Sequence, residues 1–181
     1  MNIQTERLVI RDFAQRDAED LYRIVREKNI LRFMGDWAEG HDSMEDYYEF
    51  IDWCQGQKRS KNVHKNKRYA VALRGADELV GMVGMGTEET LQEVEMAWFI
   101  AEAHQRRGYA REAVNALADW IFRASPLPWL IATVDCANEA SQKTALACGF
   151  DLFERRTPIG HAQPNMKSGS YYYFRRYRPR G

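Results

Sequence analysis

Apolar residues recur along this chain with two periods, and the places where the period changes divide it into strands and helices. Residues 7–13, Arg-Leu-Val-Ile-Arg-Asp-Phe, are rich in β-branched and aromatic types and predict a first strand. Asp17 then predicts a helix N-cap, and Ala18, Leu21, Tyr22 and Val25 follow at helical spacing. A second helix is expected from Ser43, whose hydroxyl would cap the amide of Asp46. Met44, Tyr47, Tyr48 and Ile51 form its apolar stripe. Two short apolar runs, 69–73 and 79–84, are separated by a glycine-containing spacer and predict a hairpin, with a third strand at 94–100. From Ala110 to Phe122 helical spacing persists for more than three turns, until Ser125-Pro-Leu-Pro128 breaks it. Residues 129–134 predict a buried strand, Asn138 caps a helix that Gly149 ends, and 150–153 and 169–174 supply closing strands around a polar loop, 157–168.

Strands mixed with helices, without a repeat or a linker, imply one α/β or α+β domain covering residues 1–181 around one sheet. The 181 residues suffice to bury a core without disulfides or metals. Lysine plus arginine and aspartate plus glutamate number 26 each, so the net charge of zero offers no global attraction to nucleic acid. Cys54, Cys136 and Cys148 show no ligand spacing, and His41, His64, His104 and His161 none either, so no metal site is expected. Neither a bilayer-spanning run nor a signal-peptide layout is present, which makes a reduced cytoplasm the default location, with no membrane partner. The aromatic and arginine-rich end, 171–180, reads as a last strand and a basic tail rather than a nucleic-acid surface.

The segment Gln105-Arg106-Arg107-Gly108-Tyr109-Ala110 places a glycine and a small residue between a strand and a strong helix. The first amides of a helix have no partner within it and point outward at the positive end of the dipole, so an anion such as a pyrophosphate can accept several together. Gly108 would let it approach the backbone, and Arg106 and Arg107 add charge. This stretch resembles the Q/R-x-x-G-x-G/A signature of the GNAT acetyltransferases, the loop by which that family holds the pyrophosphate of coenzyme A. Glu95-Met-Ala-Trp-Phe-Ile100, Glu112-Ala113-Val114, Asn138-Glu-Ala-Ser141, Gly149-Phe150 and the opening Thr5-Glu6-Arg7-Leu8 are similar to elements of the subgroup that modifies the N-termini of ribosomal proteins. The resemblance covers roughly residues 4–154.

The resemblance implies a curved mixed sheet flanked by helices, with acetyl-CoA as cosubstrate entering where two neighbouring strands splay apart. Direct acetyl transfer to an amine needs a base for the nucleophile and a proton for the departing thiolate. Glu95 is the candidate base, with Glu93 or an ordered water as alternatives, and Ser141 the candidate acid, with solvent as the alternative. The tyrosine that many family members carry one turn beyond Ser141 is here Ala145. Cofactor contacts are expected from the main chain of Trp98, Phe99 and Ile100, from Gln105 to Ala110, and from Asn138. The acidic run between Asp36 and Asp52, with Trp37 and Tyr47 or Tyr48 for cation-π contact, suits a cationic acceptor. The acceptor is expected to be a protein N-terminus or a small cationic amine, and the assembly a monomer or homodimer. The alternative from another class is a noncatalytic acyl-CoA-binding module, to which Ala145 lends support.

Overall fold

The computed structural model describes residues 1–34, 42–57, 60, 62–88, 91–157 and 169–179. They form eight strands and five helices: β1 (Asn2–Gln4), β2 (Leu8–Arg11), α1 (Ala18–Val25), α2 (Lys28–Met34), α3 (Met44–Gln57), β3 (Lys67–Leu73), β4 (Leu79–Thr87), β5 (Val94–Ile100), α4 (Tyr109–Ala124), β6 (Trp129–Asp135), α5 (Glu139–Ala147), β7 (Asp151–Arg156) and β8 (Tyr171–Tyr177). One mixed sheet runs in the order β1-β2-β3-β4-β5-β6-β8-β7. Its β1–β5 portion is antiparallel throughout, as is β6-β8-β7, and the two portions meet where β5 lies parallel to β6.

The sheet buries both faces. Leu8, Ile10, Val71, Val80, Val83 and Ile100 pack with Val114, Leu117 and Ile121 of α4 on one side. Ala70, Met82 and Phe99 pack with Leu21, Ile51 and Tyr47 of the α1–α3 layer on the other. Alternation along each strand sends successive side chains to the two layers, which is why β4 is buried along almost its whole length. Leu117 is fully buried at the centre of the first layer. Leu117→Ala is expected to cost about 2–5 kcal/mol through lost transfer energy and a residual cavity, measured as a lower midpoint in denaturant unfolding.

Several expectations hold in detail. Ser43 and Asp46 form a reciprocal cap: the Ser43 amide and hydroxyl each donate to Asp46 Oδ2 at 2.7 Å, and the Asp46 amide donates back at 3.3 Å. Asn138 Oδ1 accepts the Ser141 amide at 3.1 Å, and Gly149, with φ of 74°, follows α5 in the left-handed region. Asp17 differs from its expected role. It stands before α1 but makes no side-chain cap there, because its carboxylate accepts both terminal nitrogens of Arg11 and the amide of Ala14 at 2.7–2.8 Å. The 3-10 turn at Gln15–Asp17 is closed by that Ala14 contact and by the Asp17 amide, which donates to the Ala14 carbonyl at 2.8 Å.

Candidate active site

β5 and β6 share one described register pair, Glu95 with Ile131. Beyond it β5 stays paired with β4 as far as Ile100, and β6 stays paired with β8 as far as Asp135. The sheet therefore opens into a cleft between the carboxyl halves of two parallel strands. Each of these strands leads to a helix, α4 after β5 and α5 after β6, so both helix N-termini lie at the strand ends that flank the opening, where ligands bind in open α/β sheets.

Strand parity decides which backbone groups face the cleft. The Ala101 amide donates to the Val80 carbonyl at 2.8 Å. In an antiparallel pair that makes Val80–Ala101 and Met82–Phe99 the hydrogen-bonded pairs. Of the three residues expected along a pantetheine arm, Trp98 and Ile100 turn their main chain to the opening, while Phe99 turns its own to β4. The Ile100 carbonyl already accepts the Gln105 side-chain amide at 2.9 Å, which ties the following loop to the strand.

That loop contains a 3-10 turn at Glu102–His104 and then two left-handed residues, Arg106 at φ 61° and Gly108 at φ 80°. Gly108 is the N-cap of α4 and carries no side-chain cap, and the first helical bond runs from the Glu112 amide to the Gly108 carbonyl at 3.0 Å. The amides of residues 109–111 thus have no acceptor in the helix and remain available to an anion. Neither Arg106 nor Arg107 makes a side-chain ion pair among the described residues. The loop is held from outside by Arg7, whose side chain donates to the Arg107 carbonyl at 2.8 Å and to Glu112 Oε2 at 2.8 Å.

Glu95 sits where the cleft begins, on the face shared with Phe99. Its Oε1 accepts the Thr133 amide at 3.0 Å and also the Thr133 hydroxyl, so the side chain continues across to β6 where the backbone ladder stops. Oε2 has no partner among the described residues. Burial raises the carboxyl above its ordinary 4.5, opposed by the two Thr133 donors and by the charge of Arg68. Opposite Glu95 and Ala97 on β4 stand Gly86 and Gly84, where a Cβ would collide with the side chains of Asn66 and Arg68. Gly84 therefore leaves room for the Arg68 side chain, whose charge acts on the Glu95 carboxylate, and Gly86 leaves room for Asn66. Glu93 is held differently, by an ion pair with Arg175 at 2.6 Å.

On the other bank, Ser141 is partly buried on the first turn of α5, with its amide fixed by Asn138 and its hydroxyl free of partners among the described residues. Asn138 Oδ1 is spent on that cap. Ala145, one turn further, is fully buried with Cys148 and Phe150. Cys148 is no ready nucleophile, since burial pushes its thiol up to about 11.

Tyr47 lies in the α1–α3 layer, buried and edge-on to Tyr22 at 5.4 Å. Its hydroxyl accepts from Arg26 at 2.9 Å, and the same guanidinium lies 3.7 Å from the Tyr22 ring centroid. The cation-π position expected for an acceptor is thus filled by Arg26 from within the chain. Trp37 lies outside the described residues.

Sequence reasoning did not single out Thr133 or Arg68. Thr133 has a signal, being the one polar residue within the apolar run 129–134, whereas Arg68 is announced only by Gly84 opposite it.

Comparison with known proteins identifies the family. A family model described as an acetyltransferase (GNAT) domain matches residues 7–151. An uncharacterized N-acetyltransferase of Bacillus subtilis (strain 168), YnaD, is 27% identical over 176 residues, covering 96% of this chain and 95% of that protein. A GNAT-family acetyltransferase from Bacillus anthracis superposes with a TM-score of 0.78 at 25% identity, covering 98% of each chain. RimL, described as a ribosomal L7/L12 alpha-N-protein acetyltransferase and solved with coenzyme A, shares the fold at a TM-score of 0.80 and 16% identity, again covering 98% of each chain. No described helix is long and apolar enough to cross a membrane. The chain belongs to the GNAT acetyltransferase family and is an acetyl-CoA-dependent N-acetyltransferase.

Proposed function

We propose that the protein acetylates the N-terminal amine of a protein by direct attack on acetyl-CoA, with Glu95 as base and Ser141 as proton donor. The observation that carries this reading is the cleft that opens immediately beyond the Glu95–Ile131 pair, with Glu95 at its origin and two helix N-termini at its mouth. The pyrophosphate accepts amides from the start of α4, Arg106 and Arg107 add charge, and the pantetheine arm runs along Trp98 and Ile100. The attacking nitrogen forms a bond to the thioester carbonyl carbon and passes its proton to Glu95, directly or through water. Collapse of the tetrahedral intermediate breaks the carbon–sulfur bond, and the thiolate takes a proton from Ser141, which solvent restores.

A protein N-terminus is favoured over a polycation because Arg26 already occupies the Tyr22–Tyr47 pair. The motifs at 95–100 and 138–150 support the same choice, as does the likeness to RimL. Thiol release from acetyl-CoA, measured against peptides with varied N-termini, polyamines and aminoglycosides, tests this reading. Peptide turnover is expected to dominate, and turnover confined to polyamines would overturn the acceptor assignment.

The pH profile follows from the burial of Glu95. Only the carboxylate accepts a proton, so kcat/KM rises with pH through the folded-state pKa, which lies above the ordinary 4.5. Thr133→Val removes the hydroxyl donor and keeps the amide. With less support for the carboxylate, the acid limb of the profile is expected to move to higher pH, while the alkaline plateau changes little.

A further inference from the structure

We propose that Arg7 is a positioning residue for the acetyl-CoA phosphate loop, acting through Glu112 and the Arg107 carbonyl without binding phosphate itself. The proposal rests on the reading that residues 105–110 receive the pyrophosphate.

Arg7 lies just before β2, about a hundred positions from the loop in sequence, yet its donors converge there. Nε and Nη2 reach Glu112 Oε2 at 2.8 and 2.7 Å, and Nη1 reaches the Arg107 carbonyl at 2.8 Å. The Arg7 amide donates to Glu112 Oε1 at 2.9 Å, and the Thr5 hydroxyl to the same oxygen at 2.6 Å. The guanidinium carbon lies 4.8 Å from the Tyr109 ring centroid, and a Cβ added to Gly108 would come 3.4 Å from Nη2. Burial alone would raise the Glu112 carboxyl, but the donors from Thr5 and Arg7 outweigh it and hold the group below its ordinary value.

The loop needs such support. Arg106 holds a left-handed φ of 61° that favours glycine, and α4 begins at Gly108 without a side-chain cap. Arg7 clamps the loop carbonyl and the first helical turn together, so the free amides of residues 109–111 keep one orientation. A preorganised set of donors binds an anion more tightly than one that must be ordered on binding.

A direct phosphate ligand and a strut predict opposite signs at Glu112. Its negative charge sits in the first turn of α4, close to where a phosphate would bind, so removing it should strengthen binding if electrostatics alone mattered. As half of a strut, its loss should weaken binding.

The test is calorimetric titration of the full chain with acetyl-CoA and with acetyl-pantetheine, which lacks the pyrophosphate, alongside steady-state kinetics. Arg7→Gln and Glu112→Gln are each expected to raise Kd and KM for acetyl-CoA by about 5–30-fold, with kcat nearly unchanged and acetyl-pantetheine binding unaffected. The double variant should be no weaker than the worse single one, because the two residues act as a unit. Should either single variant fold poorly, Thr5→Val removes the hydroxyl contact with Glu112 Oε1, together with its local contacts to Leu8, and is expected to raise KM by a smaller factor. Unchanged or tighter acetyl-CoA binding in Glu112→Gln, or additive losses in the double variant, would overturn the strut. A control, Arg106→Ala with Arg107→Ala, separates the two levels: if it too leaves acetyl-CoA binding unchanged, the loop assignment fails and the strut with it.

Discussion

Glu95→Gln is expected to lower kcat by about 10²–10⁴-fold while leaving the affinity for acetyl-CoA nearly intact. The amide is the same size, and its carbonyl oxygen can still accept both Thr133 donors that hold Oε1 in the native chain. The geometry at the mouth of the cleft therefore survives, and only the capacity to take a proton is lost. Stability should not suffer either. Burial raises the Glu95 carboxyl, so ionising it costs folding free energy: the folded state holds the proton more tightly than the unfolded one, and stability falls as pH rises through the interval between the two pKa values. A neutral amide escapes that cost at pH 7. Measured as thiol release with a peptide acceptor, full activity in the variant would assign the base to water or to another group. Glu93 is a weaker alternative, because one of its carboxylate oxygens is already taken up by Arg175 at 2.6 Å.

Gly108→Val is expected to weaken acetyl-CoA binding by about 10–100-fold with little change in the melting temperature. The native φ of 80° is one that a β-branched residue occupies only at a cost of about 1–3 kcal/mol. The new side chain would also begin 3.4 Å from Arg7 Nη2, so the loop must shift to accommodate it. Because the position is exposed, the shift relieves most of the strain without disturbing the core beneath α4. What it displaces is the set of amides at 109–111, and 1.4 kcal/mol of lost interaction is tenfold in affinity. Isothermal titration measures the effect, and an unchanged Kd would remove the pyrophosphate from this loop.

Much of the fold was legible because local chemistry and periodicity agree. The apolar stripe from Ala113 to Phe122 is a helix by spacing alone, and it is buried as that spacing requires. The caps at Ser43 and Asn138 act within three residues of themselves, so sequence order nearly fixes their geometry. Asp17 shows the limit of the same rule. Its type and place suggest a cap, but Arg11 offers a bidentate partner, and that ion pair outweighs a single amide contact. α2 and β1 are too short to show a period of their own.

At the site, the loop could be placed from its residues, whereas its support could not. Arg7 and Glu112 meet where α4 packs against the start of β2, about a hundred positions apart in sequence, and nothing local in Thr5-Glu6-Arg7 announces the pairing. Glu95 could be named as a carboxylate beside the loop, but its link to Thr133 depends on the one-residue register between β5 and β6. Parity is equally invisible to composition: Trp98 and Ile100 rather than Phe99 turn their backbone to the cleft only because Ala101 pairs with Val80.

The central claim is that acetyl-CoA lies in the opening between β5 and β6 with its pyrophosphate at the start of α4. Amide hydrogen exchange resolved by residue, with and without acetyl-CoA, tests it most directly. Slowed exchange is expected at Trp98 and Ile100 and at residues 108–111, with the Phe99 amide, already paired to β4, little changed. Binding that leaves those amides unprotected, or no binding at all, would contradict the account.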